Sequence, residues 1–253
     1  MSKTMTIVNN LAVVYNQQGK GVDVLLLHGW GDDHQTFSQL SAELSKNYRL
    51  TAPDLPGFGA SDPPKTAWDL TSYAHWVESF CTKVGISPQI VIGHSNGGAL
   101  AVHAIAQGQL KPNKLVLLAS SGVRDTAKIR RAGIKVIAKT GKLATFWLPL
   151  SAKQKLQKKL YGSVGSDMLV APELIETFKR TVKQDIQHDA KSLSLPTLLI
   201  YGSQDKATPI KDIGQVLHKH INGSKLNIVN GAGHFVHQDA PSEVNASIKD
   251  FLT

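Results

Sequence analysis

The sequence has a single cysteine, Cys81, among 253 residues. An internal disulfide is therefore excluded, and the fold must be held by its core. No apolar run approaches the roughly 20 residues that a bilayer span requires. Residues 1–20 carry Asn9, Asn10, Asn16, Gln17 and Gln18 and lack the apolar stretch of a signal peptide. A cytoplasmic location is the expectation. On that expectation the glycosylation patterns Asn222-Gly223-Ser224 and Asn245-Ala246-Ser247 read as a turn and a helix surface. Internal repeats and low-complexity tracts are also missing. So is the third glycine of a dinucleotide loop, because Gly29-Trp30-Gly31 runs on into Asp32, Asp33 and His34. His218-x-His220 has no cysteine or carboxylate at ligand spacing. Neither a metal nor another cofactor is expected.

Acidic residues are few, 19 Asp and Glu against 28 Lys and Arg, so the net charge is +9. The excess is local. Residues 123–190 hold 14 Lys or Arg and 6 Asp or Glu, hence +8 of that +9. The same segment has only Phe146, Trp147, Tyr161 and Phe178 as aromatics and no recognised binding module, which argues against a nucleic-acid partner.

What is present is a chain with 42% hydrophobic residues, enough for one large domain with room for an insertion. Two β-rich runs within residues 6–15 are split by Asn9-Asn10, a hairpin signal. Further strands are expected over 22–27, 48–52, 89–92, 114–119, 195–201 and 225–229. Helical spacing marks 34–46, 70–84, 96–107, 210–220 and the stretch after Pro241. Strands alternating with helices predict an α/β fold, a mostly parallel eight-stranded sheet with helices on both faces. The alternation breaks once, between Ala119 and Leu195, where residues 123–190 look helical and basic. That segment is too long for a plain connection. It predicts a helical lid, or cap, inserted into a core formed by residues 1–122 and 191–253.

The centre of the pattern is Gly93-His94-Ser95-Asn96-Gly97, which matches G-x-S-x-G between an apolar strand and an Ala-rich helix. A serine at such a strand-to-helix turn is forced into a strained backbone that lifts its hydroxyl clear of the sheet. Gly93 and Gly97 are expected because a Cβ at either would strike the other arm of the turn. The alternative for Ser95 is a structural turn. A serine hydroxyl needs a base, and ten histidines compete. His234 stands out in Gly231-Ala232-Gly233-His234-Phe235, just after the last strand, on a loop free to bend toward Ser95. The base needs an orienting carboxylate. Asp205, in Gly202-Ser203-Gln204-Asp205, follows the preceding strand; Asp125 is the alternative acid. The backbone N–H groups of Asn96 and Trp30 are the expected donors to an oxyanion. Ordinary core packing is the alternative for Trp30. His28, Gly29, Trp30, His94 and Phe235 are candidates for the substrate pocket.

His28-Gly29-Trp30-Gly31, Asp54-Leu55-Pro56-Gly57-Phe58-Gly59-Ala60-Ser61, the Ser95 turn and the Asp205 and His234 loops together resemble the α/β-hydrolase superfamily. The chain order Ser, Asp, His is that of the superfamily. Within it, His-Gly-Trp-Gly and a short lid are similar to pimeloyl-carrier-protein methyl ester esterases and related carboxylesterases. Asn96 stands where many relatives carry a larger apolar residue. The resemblance implies hydrolysis of a carboxylic ester by Ser95, His234 and Asp205. Thioesters and carbon–carbon bonds are cleaved by relatives with the same triad. Epoxide hydrolases and haloalkane dehalogenases use an aspartate nucleophile and are disfavoured. A ligand-sensing receptor with little turnover is the reading from another class. Lys128, Arg131, Lys135 and Lys139 share one face at helical spacing. Lys153, Lys155, Lys158 and Lys159 repeat the arrangement. Both suit an anionic or carrier-bound substrate or an anionic membrane surface; a solvated face is the alternative. A monomer is favoured.

Overall fold

A computed structural model describes residues 3–124 and 174–253 of the chain. Asp125 and most of the expected lid lie outside the described residues. Eight strands form one sheet: β1 (Lys3–Val8), β2 (Leu11–Gln18), β3 (Val22–Leu27), β4 (Tyr48–Pro53), β5 (Ile90–His94), β6 (Lys114–Leu118), β7 (Thr197–Gly202) and β8 (Lys225–Val229). Their order is β1-β2-β4-β3-β5-β6-β7-β8. β1 pairs antiparallel with β2, and β2 antiparallel with β4; the rest are parallel. The β1–β2 hairpin turns on Asn9 and Asn10, with φ of 51° and 64°. Positive φ at both central residues suits a two-residue hairpin, and asparagine tolerates it. The strand order reverses at β3, with β4 on one side and β5 on the other. Connections leaving β3 and β5 therefore diverge and open a crevice at the carboxyl ends of these strands.

Alternation along the central strands builds two cores. Leu25, Leu27, Val91, Leu117 and Leu199 point to one face of the sheet. There they meet helices α2 (Leu70–Val84) and α3 (Asn96–Ala106). Val24, Leu26, Ile92, Val116 and Ile200 point to the other. Its helices are α1 (Ser38–Leu44), α7 (Val236–Asp239) and α8 (Pro241–Leu252). Burial on both faces explains why these strands read as continuous apolar runs.

Helix α2 has the bounds its periodicity predicts. Asp69 caps it by accepting the Ser72 N–H, and Gly85 ends it at φ 69°. Other boundaries differ. The 34–46 stretch is a 3₁₀ turn, His34–Phe37, followed by α1, because Asp33 captures the Gln35 N–H and starts a tighter turn. The 210–220 stretch is a π-helical turn, Ile210–Gly214, running into α6 (Gln215–His220). The one-turn helix α7 has no periodicity to betray it. Asn245, expected on a helix surface, faces inward from α8 and is buried. Asn222-Gly223-Ser224 is a turn, with Gly223 at φ 69°.

The described end of the insertion holds α4 (Ile175–Lys183) and α5 (Gln187–Ser192). Both are tied to the core by polar contacts. The Trp68 N–H donates to Thr177 Oγ1 at 3.1 Å, and the Leu70 N–H donates to Gln184 Oε1 at 2.5 Å. Leu70 begins α2, so Gln184 satisfies a helix-end donor that has no partner within the helix. Next along, the Ile186 N–H donates to Gly122 O at 2.9 Å. His103 of α3 lies with Nδ1 2.7 Å from Asp189 Oδ2 of α5, and with Nε2 3.0 Å from Thr71 Oγ1 of α2. Gln107 Nε2 donates to the second Asp189 oxygen at 3.2 Å. His103 and Asp189 are both buried, so this contact fastens the base of the insertion to the helix that starts after Ser95. Among the described residues no helix is long and apolar enough to cross a membrane.

Removing either partner leaves a buried polar group without its match. His103→Ala and Asp189→Ala should each destabilise the protein by about 2–3 kcal/mol, read from urea unfolding midpoints. The double variant should lose less than the sum of the two.

Candidate active site

Ser95 is the residue between β5 and α3, with φ 51° and ψ −117°. A non-glycine residue in that region carries strain of about 1–3 kcal/mol, which its surroundings must offset. They do so through the backbone. The Ser95 N–H donates to Leu118 O at 3.0 Å; its carbonyl accepts from Gly98, Ala99 and Ser121. The turn is also sterically closed. A Cβ on Gly93 would lie 2.6 Å from Gly97 O, across the turn as expected. A Cβ on Gly97 would instead lie 2.1 Å from Leu27 O. The obstacle there is the neighbouring strand β3 and not the other arm of the turn. The loop after β3 approaches just as closely, since a Cβ on Gly29 would lie 3.1 Å from Ser95 Cβ. Trp30, next in that loop, and Asn96, the first residue of α3, thus stand on the two segments that flank the serine.

His234 reaches Ser95 from the loop after β8. Its Nε2 lies 3.0 Å from Ser95 Oγ, and its Nδ1 lies 2.9 Å from Asp205 Oδ2. With Nδ1 protonated toward the carboxylate, Nε2 is free to accept the serine proton. Burial works against a charge on Asp205. Hydrogen bonds from His234, from the Thr208 hydroxyl and from the Thr208 N–H outweigh it and hold the carboxyl down at about 2. Thr208 has no place in the sequence reading. Its hydroxyl is 2.6 Å from Asp205 Oδ2, while the N–H groups of Ala207 and Thr208 donate to Oδ1. The signal was local: a threonine three residues after an aspartate, which fits a carboxylate-capped turn.

Of the five expected pocket residues, two have the most deeply enclosed side chains. His28 is fully buried, and burial lowers its pKa. Its Nε2 accepts the Leu55 N–H at 2.8 Å and its Nδ1 donates to Gly29 O at 2.8 Å. It braces two loops. His94 is 1% exposed and likewise lines no open surface. Its ring packs on His234, with centroids 5.0 Å apart, and on His237, 4.7 Å apart. Burial, then His237 and His234, holds the His94 pKa well below the usual histidine range. His237 is pushed down to about 4, chiefly by burial. Phe235 does face solvent, 41% exposed and beside His234. Trp30 is mostly buried, edge-on to Phe58 at 4.8 Å and to Phe178 of α4 at 5.0 Å. Gly29 lies against the serine, as above.

Asp33, His34 and Asp54 bring ligand-type atoms within 4.8 Å of one another. These atoms bond to the protein itself. Asp54 Oδ1 accepts from the N–H and Nδ1 of His34, Asp54 Oδ2 accepts the Ala60 N–H, and Asp33 caps Gln35. The cluster ties the 31–37 loop to the 54–61 loop.

The sequence pattern of the alpha/beta hydrolase family matches residues 24–247. A pimeloyl-[acyl-carrier protein] methyl ester esterase of Neisseria meningitidis serogroup C is 27% identical over 243 residues, covering 90% of this chain and 93% of that protein. The hydrolase YugF of Bacillus subtilis is 26% identical, covering 97% and 96%. Among solved structures, a thermophilic esterase from Thermogutta terrifontis superposes with a TM-score of 0.74 at 20% identity, over 100% of this chain and 98% of that one. A meta-cleavage product hydrolase from Pseudomonas fluorescens gives 0.75 at 20%, over 98% and 97%. With an eight-stranded sheet of this order and a family match across most of its length, the chain belongs to the alpha/beta hydrolase family.

Proposed function

We propose that the protein is a serine hydrolase that cleaves a carboxylic ester through an acyl-enzyme. The observation that carries this is the chain of contacts from Ser95 Oγ through His234 to Asp205, at 3.0 and 2.9 Å. Ser95 Oγ attacks the ester carbonyl as its proton passes to His234 Nε2. Asp205, ionised and buried, stabilises the imidazolium that results. The oxyanion is met by the N–H groups of Trp30 and Asn96. Collapse breaks the bond to the alkoxy oxygen, and His234 returns the proton to the departing alcohol. Water, deprotonated by His234, then attacks the acyl carbon and frees the acid and Ser95. Phe235, exposed beside His234, supplies apolar surface for the substrate, with Trp30 packed behind the Ser95 loop.

The relative from Neisseria is named for a methyl ester on an acyl-carrier protein. Residues 123–190 carry +8 of net charge, of which Lys179, Arg180 and Lys183 lie on α4. Both favour an anionic or carrier-bound ester over a neutral one. A panel of esters of varied acyl length, thioesters and carbon–carbon substrates fixes the bond cleaved. Single-turnover trapping without release of acid would point instead to a receptor.

Ser95→Ala should lower kcat by roughly 10⁴–10⁶-fold with the fold intact by circular dichroism, and Asp205→Asn by about 10³–10⁴-fold. Steady-state turnover by a clean Ser95→Ala sample would remove the assignment. The depressed Asp205 pKa also predicts acid sensitivity. Its folded value of about 2 lies below the unfolded value of about 3.9, so its stabilisation is complete above about pH 4 and fades as pH falls toward 2. Thermal melts in acid should therefore show wild type losing more stability than Asp205→Asn over that window. Raising salt from low to about 0.5 M should slow hydrolysis of a carrier-bound or anionic ester and leave a small neutral ester nearly unchanged. Equal effects on both would assign the basic charge to surface solvation.

A further inference from the structure

His94 takes no part in the proton transfers above, yet it touches three parts of the site. It ends β5, one residue before Ser95. Its Nε2 lies 3.2 Å from the backbone carbonyl of His234. A carbonyl only accepts, so Nε2 is the protonated nitrogen and donates. On its other edge, Nδ1 faces the loop after β3, where a Cβ on Gly29 would come within 3.1 Å of it. The ring itself is wedged between the rings of His234 and His237.

We propose that His94 is a positioning residue: it anchors the backbone of His234, and through it the imidazole, in register with Ser95. The nucleophile and the base reach the site from strands separated by β6 and β7, and the base rides on a glycine-containing loop. Apart from the Ser95–His234 contact itself, the His94 bond ties that loop directly to the end of the nucleophile strand. The residue type follows from the demands on it. A phenylalanine would fill the space between the two rings but could not donate. A lysine or arginine would donate but would bring a positive charge beside a base that must itself become cationic. The charged and titratable groups facing His94 are His234, His237 and Asp205, and the two histidines together with burial keep it neutral. A buried neutral imidazole meets both demands.

The inference rests on the serine-hydrolase reading, and the test separates the two. Full-length wild type, Ser95→Ala, His94→Phe and His94→Gln are assayed on p-nitrophenyl acetate and butyrate. His94→Phe should lower kcat about ten-fold, the effect of one lost neutral hydrogen bond, with KM within about two-fold. His94→Gln, which can still donate to the His234 carbonyl, should recover most of it. The second-order rate of Ser95 labelling by a fluorophosphonate should fall in parallel, since it too needs the base in place. If Ser95→Ala is inactive and His94→Phe matches wild type in kcat and labelling, the positioning role is overturned and the esterase reading stands. If Ser95→Ala turns over like wild type, the esterase reading itself falls. A measurement on wild type is independent of whether the variants fold. Long-range ¹⁵N–¹H spectra of ¹⁵N-histidine protein should show His94 as the Nε2–H tautomer at pH 7. The Nδ1–H tautomer would mean no bond to the His234 carbonyl and would overturn the proposal.

Discussion

A serine can hold φ 51° between a strand and a helix only where no side chain competes for the space around it. That steric demand sets much of the rest. Gly97 has to lack a Cβ because β3 passes directly beneath it, and β3 passes there because the sheet reverses between β3 and β5. The same reversal brings the Gly29-Trp30 loop against Ser95. The strain at one residue, the strand order and the close approach of that loop are thus one arrangement seen at three scales. The backbone bonds of Ser95 to Leu118 and Ser121 extend it to β6 and the segment beyond.

Electrostatics follow a similar economy. Asp205 is a buried carboxylate satisfied by two backbone N–H groups, a threonine hydroxyl and an imidazole. Around His234 the other histidines, His94 and His237, are kept neutral, mainly because they are buried. Among the described residues His234 thus has Asp205 as its charged partner and neutral histidines packed beside it.

Much of this was legible in the sequence where the signal is local. The Asn9-Asn10 turn, the apolar strands, the bounds of α2 and the need for Gly93 each follow from backbone preference, periodicity or a clash within one turn, whereas the clash that requires Gly97 comes from β3. Asp205 and His234 were legible because each closes a strand and carries turn residues. The contacts that could not be read join residues far apart in the chain. His103 meets Asp189 across 86 positions and His94 meets the His234 carbonyl across 140. No spacing rule links such pairs, and a histidine in an Ala-rich helix looks like any other polar residue. The burial of His28 and His94 was not legible either. Both lie beside site loops in sequence, yet both rings are buried.

The two cores give the site an unusual mechanical status. Ser95 leads into α3, which belongs to the layer on one face of the sheet. His234 leads into α7 and α8, which belong to the layer on the other. The 3.0 Å contact between them works as a rivet at the carboxyl edge of the sheet: its two heads sit in separately packed layers. Loosening either layer moves one head, so the geometry of this contact registers the integrity of both halves of the molecule at once.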